Sequence, residues 1–169
     1  MSWMTLTLRK NELAEKHNSL EFEDLCLSRK QRKMARQYEA EESEVQSYYN
    51  NLISSIREDY NNDRDDLEER YTYSEEGIYT EDDEEYLSST DYTTAANTLL
   101  EEYEELVNTL ETQSENECSL IETEATSAEE RIDTQKTFVE SEMESVSEEA
   151  DSVKEQMSSD IEETTINLA

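Results

Sequence analysis

Proline is absent from this chain and glycine occurs once, at Gly77. That scarcity excludes collagen-like, Pro-rich and Gly/Ser-linker architectures, and it leaves few places where a helix must stop. Histidine also occurs once, at His17. No Glu-x-x-His pair exists, because position 14 is Ala, so the usual di-iron carboxylate bundle signature is missing. The two cysteines, Cys26 and Cys118, make neither a disulfide framework nor a zinc site, and free thiols in a reducing compartment are the expectation. No apolar run approaches the roughly 20 residues of a membrane span. Residues 1–10 lack the long apolar core and cleavage site of a secretory leader. Basic charge is scarce too: 14 Lys and Arg stand against 46 Asp and Glu, a net charge of −32. Direct binding of bare nucleic acid or of an anionic membrane is therefore disfavoured. The expected location is cytoplasmic, or within a virion or another large complex.

What is present is acidic and helix-forming. Charged residues make up 36% of the chain and apolar ones 33%, a balance that fits either long helices with thin seams or disorder. The lack of Pro and Gly favours helices, as does the excess of Glu over Asp, since Glu is the better helix former. The clearest pattern is a stripe from Leu99 to Leu168 through Tyr103, Leu106, Leu110, Cys118, Ile121, Ala125, Ala128, Ile132, Val139, Met143, Val146, Ala150, Val153, Met157 and Ile161. Its average step is about 3.63 residues, the period of a straight α-helix and not the 3.5 of a heptad zipper. A helix with one narrow stripe cannot cover itself, so it requires a partner.

Taken in order, residues 1–8 are an apolar segment in which apolar and hydroxyl residues alternate from Met4. This reads equally as a strand or as a frayed helix lead-in anchored by Trp3. From Arg9 the pattern is helical. Leu6, Leu13, Leu20, Leu27 and Met34 recur every seven residues, with Phe22 and Leu25 widening the apolar face. The companion positions carry His17, Asp24 and Gln31, which predicts a two-helix or edge contact more than a fully enclosed helix. Tyr38, Val45, Tyr49, Leu52, Ile56, Tyr60, Leu67 and Tyr71 continue the spacing, so helix one is placed at 9–72, about 95 Å at 1.5 Å per residue. An acidic, Tyr-rich turn follows at 73–80, with Gly77 as helix C-cap and Thr80/Asp83 as a capping box. Helix two is placed at 81–164, or starting near 90, with a kink or break at 112–117, and a tail at 165–169. The fold class is all-α: an elongated, coiled-coil-like antiparallel helical hairpin, with three helices if 112–117 breaks.

Charge suggests the register. Residues 1–38 carry eight Lys or Arg against five acids, and the remainder six against 41. Folding about residue 80 sets Arg29, Lys30, Arg32, Lys33 and Arg36 opposite Glu129, Glu130, Asp133 and Glu140, pairs that are individually weak but jointly select register. The same fold brings together the apolar chain ends, with Trp3, Leu6, Leu8, Ile166 and Leu168 as candidate self-assembly residues.

Catalytic chemistry is not indicated. An EF-hand loop fails because Asp66 stands where the turn needs Gly, although Asn61, Asp63 and Asp65 alternate correctly. No Gly-rich phosphate loop is present, and no metal or cofactor is expected. The basic cluster at 29–36 could serve nucleic acid, but pairing with the chain's own acids is the better reading. All ten tyrosines lie between Tyr38 and Tyr103. Those near the turn (Tyr73, Tyr79 and Tyr86), with Glu81, Asp82 and Asp83, form a candidate docking surface for a basic partner. The expected function is non-enzymatic: a structural, scaffolding or assembly protein acting in a homo-oligomer or larger complex, such as a virus particle or secretion apparatus. The alternatives are an acidic nucleic-acid mimic and a chaperone or adaptor for a basic protein.

Overall fold

The computed structural model describes the backbone of residues 3–166 and the side chains of residues 3–162. Two helices, α1 (Trp3–Glu75) and α2 (Ser89–Ile166), pack against each other as an all-α hairpin, with no strand among the described residues. α1 already includes residues 4–8, so their alternation does not make a strand. Leu6 lies on the heptad row and is only 2% exposed; burying it requires the helical period. The Thr7 hydroxyl is spent within the helix, donating to the Trp3 carbonyl at 2.9 Å. α2 runs unbroken through 112–117, where the Thr112 hydroxyl donates back to the Asn108 carbonyl at 2.8 Å and so competes with nothing outside the helix. Residues 164–166 continue α2; Leu168 and the rest of the tail lie outside the described residues.

The turn is longer than the acidic run alone suggested. α1 ends in a Schellman motif: the Ile78 amide donates to the Tyr73 carbonyl at 2.9 Å and the Gly77 amide to the Ser74 carbonyl at 3.2 Å, with Gly77 at φ +74°. Thr80 and Asp83 do form reciprocal bonds, Thr80 N to Asp83 Oδ2 at 2.8 Å and Asp83 N to Thr80 O at 2.8 Å. They close a turn, however, and do not open a helix. Five consecutive acids at 81–85 would repel at helical spacing. α2 starts instead at a second box, Ser88 with Asp91. The Asp91 amide donates to Ser88 Oγ at 3.2 Å, and Ser88 Oγ to Asp91 Oδ2 at 2.7 Å. A Cβ at Gly77 would meet nothing within 4 Å, so Gly77→Ala carries only the left-handed backbone cost. Urea unfolding is expected to show a loss of about 1–2 kcal/mol; an unchanged midpoint would refute the cap.

The chain divides into two compact units, Met1–Tyr38 with Thr123–Ala169, and Glu39–Glu122. The first is a heptad unit. Its core joins Leu6, Leu13 and Leu20 of α1 to Val139, Val146 and Val153 of α2, with Leu27, Met143, Ala150 and Met157 against them. Ion pairs flank this seam, Arg9 to Glu149 at 2.6 Å and Lys16 to Glu142 at 3.9 Å. Seven residues separate the two cations and seven the two glutamates, in opposite chain directions. That is antiparallel heptad pairing.

The second unit has a different period. Tyr49 is buried and its hydroxyl donates to Glu117 at 2.8 Å. Tyr60 stacks on Tyr103 with ring centroids 4.6 Å apart, and Tyr71 on Tyr92 at 4.4 Å. The two stacks are eleven residues apart on both helices, the repeat that gives 3.67 residues per turn. Stacked rings with polar tips fill this seam where the first unit uses leucine and valine.

Candidate functional site

The cations expected to set register lie elsewhere. Around the cluster the half-buried or buried positions of α1 include Leu20, Asp24, Leu27, Gln31 and Met34. Arg29, Arg32, Lys33 and Arg36 fall between them on the opposite side of the helix, and with Lys30 all are exposed. None of the five enters an ion pair among the described residues. Of the acids assigned to them, Glu129, Glu130 and Glu140 are likewise exposed, outside those ion pairs. Only Asp133 reaches across, accepting from Gln31 Nε2 at 3.2 Å. The cations that do pair across the seam are Arg9, with Glu149, and Lys16, with Glu142. The Glu149 hydrogen bond, followed by that of Glu12, raises the Arg9 guanidinium further above its already high value.

The residues that share the outward face with those cations are apolar. Phe22 is 65% exposed and Leu25 47%, so neither is buried in the seam. Phe22, Leu25, Arg29, Arg32 and Arg36 follow steps of three and four, a second row diametrically opposite the first. Met4 and Leu8 are exposed on the same side further toward the N-terminus. Beside this row, His17, Glu21, Asp24, Leu25, Met143, Glu144 and Ser147 line a shallow groove. His17 Nδ1 stands 3.7 Å from Glu21 Oε1, and Asp24 Oδ1 is buried without a hydrogen-bond partner. Polar groups held at seam positions of this kind fix alignment at a cost in stability.

The proposed terminal patch is split. Leu6 is inside the seam and Trp3 and Leu8 are exposed; Ile166 is the last residue of α2.

At the turn, the structure engages most of the candidate docking residues internally. Tyr73 packs edge-on against Tyr79 with centroids 5.6 Å apart, and its hydroxyl donates to Glu69 at 2.6 Å. That bond raises the Tyr73 phenol above its ordinary value. The Tyr86 amide donates to the Asp83 carbonyl at 3.1 Å, and Tyr86 is half-buried. Glu81 and Asp82 are exposed. The loop is tied to α1 through Leu87 N to Ser74 Oγ at 2.9 Å and Arg70 Nε to the Glu85 carbonyl at 3.4 Å.

A second acidic surface was not singled out from sequence. Glu101, Glu104 and Glu105 line an open groove on α2 with Asn108, Thr109, Thr112 and Gln113, and none of the three glutamates is in an ion pair among the described residues. The stripe also shifts here: Val107 is half-buried and Leu106 is 52% exposed. Among the described residues no group of three His, Cys, Asp or Glu side chains is placed to hold a metal ion, and no helix is long and apolar enough to cross a membrane. No protein-family model, curated protein or solved structure matches this chain.

Proposed function

We propose that this chain is a non-enzymatic structural or assembly component that works as a homo-oligomer or within a larger protein complex. One observation carries the reading: each unit closes only a single-file seam, while Trp3, Met4, Leu8, Phe22, Leu25 and Phe138 stay exposed around the first unit. A two-helix seam is a small core, and large apolar side chains left exposed on both helices mark interaction surfaces. Rigid helices bearing such surfaces suit a building block.

The native mass of the purified chain tests this. Light scattering over a range of concentrations is expected to show a mass above that of one chain, rising with concentration. A concentration-independent monomer would sink the reading.

A second reading, an acidic mimic or an adaptor for a basic protein, is supported by the second unit. Residues 39–122 hold 27 acids against three cations, a net charge of −24. On that reading the same preparation holds a monomer with a salt-releasable basic protein.

A further inference from the structure

We infer that the outward strip of α1, Phe22, Leu25, Arg29, Arg32, Lys33 and Arg36, docks onto the carboxylate-rich second unit of another copy of this chain. The inference rests on the assembly reading and names its surface. Four cations at three- and four-residue spacing on one helix face repel one another, and among the described residues no acid on either helix pairs with them. They also point away from α2 of their own unit. Whatever balances them therefore comes from outside the hairpin.

The chain itself supplies the complement. The second unit is the most acidic part of the sequence, and its groove carries Glu101, Glu104 and Glu105 free of ion pairs on a helical face. Leu100, 40% exposed, sits one residue before that row. A basic helical strip headed by Phe22 and Leu25 and an acidic helical row preceded by Leu100 are complementary in charge, and each has an exposed apolar side chain beside it. A duplex of nucleic acid offers the charge alone. Its phosphates give Phe22 and Leu25 nothing apolar to cover. The contact joins two different surfaces, strip to groove, so each chain carries both halves of it.

The test uses the full chain. Sedimentation at about 50 mM salt is expected to show oligomers that dissociate toward one chain at about 500 mM, where exposed charges are screened. Charge reversal at the strip (Arg29→Glu, Arg32→Glu, Lys33→Glu, Arg36→Glu) is expected to weaken self-association about tenfold or more. Reversal at the groove (Glu101→Lys, Glu104→Lys, Glu105→Lys) should do the same. Mixing the two reversed chains should restore a hetero-oligomer. Every altered residue is exposed, and an unchanged helical circular-dichroism spectrum verifies the fold. If both reversed chains keep the wild-type mass, the strip assignment is overturned and the assembly reading stands. A wild-type monomer at low salt overturns both. Strip-dependent capture of a DNA duplex that displaces self-association overturns the second-copy assignment.

Discussion

Leu13→Ala is expected to destabilise the heptad unit by about 2–3 kcal/mol, toward the lower end of the range for buried leucines. Leu13 is 3% exposed and belongs to the same core as Val139 and Val146. Its removal takes away the transfer free energy of the isobutyl group and leaves a gap. A two-helix seam has no third element to hold that gap open, so partial collapse keeps the loss near the low end. Leu25→Ala provides the contrast. Both leucines lie on α1, within twelve positions of each other, and a reading from hydrophobicity alone treats them alike. Leu25 faces outward, so its truncation should cost less than about 0.5 kcal/mol. Urea unfolding followed at the helical circular-dichroism band measures both. Equal losses would show that the seam is misplaced.

Alkaline pH is expected to open the second unit before the first. Nine of the ten tyrosines lie in residues 39–122 and only Tyr38 in residues 1–38. Three of the nine donate hydroxyl hydrogen bonds to carboxylates: Tyr49 to Glu117, Tyr71 to Glu75 and Tyr73 to Glu69. A phenol that donates to a carboxylate resists ionisation, and each of these bonds raises its tyrosine above the ordinary value of 10.0. The neutral form is the one the fold favours. Its stabilisation is therefore complete below about pH 10 and is lost as the pH rises from there through the raised folded values. Ionised Tyr49, Tyr71 and Tyr73 then add negative charge to a unit already at −24, and self-repulsion compounds the lost bonds. Hydrogen exchange, compared between residues 13–27 and 49–71 at rising pH, should show protection lost first in the second range. Loss in step, or before tyrosinate absorbance appears, would count against the tyrosine seam.

The all-α hairpin was legible because two signals agree: an apolar residue every seven positions from Leu6 to Met34, and near-absence of residues that stop helices. Gly77 marked the end of α1 for the same reason, since the Schellman geometry needs its positive φ. The start of α2 was less visible. Thr80-x-x-Asp83 and Ser88-x-x-Asp91 are both capping boxes in sequence, and only the repulsion among residues 81–85 separates the turn from the helix. The averaged period of the stripe concealed two regimes. In α2, Ile132, Lys136, Val139, Met143, Val146, Ala150, Val153 and Met157 keep heptad steps, while Tyr103, Val107, Leu110, Ser114 and Cys118 keep longer ones. The eleven-residue spacing of Tyr38, Tyr49, Tyr60 and Tyr71 carried that information openly. The basic cluster was visible as charge, but its facing depended on phase. Arg29, Arg32 and Arg36 belong to the row of Phe22 and Leu25, and assigning them to the seam's flank ignored that shared spacing.

The most direct test of the hairpin is a distance across the heptad seam. Spin labels placed at Lys16 and Glu142, whose side chains meet at 3.9 Å, are diluted with excess unlabelled chain and measured by pulsed dipolar spectroscopy. Paired helices stand roughly 8–10 Å apart, so the label separation should stay below about 20 Å and survive dilution. A longer separation would contradict the register, and a short one that vanishes on dilution would mean that α1 and α2 pair between chains.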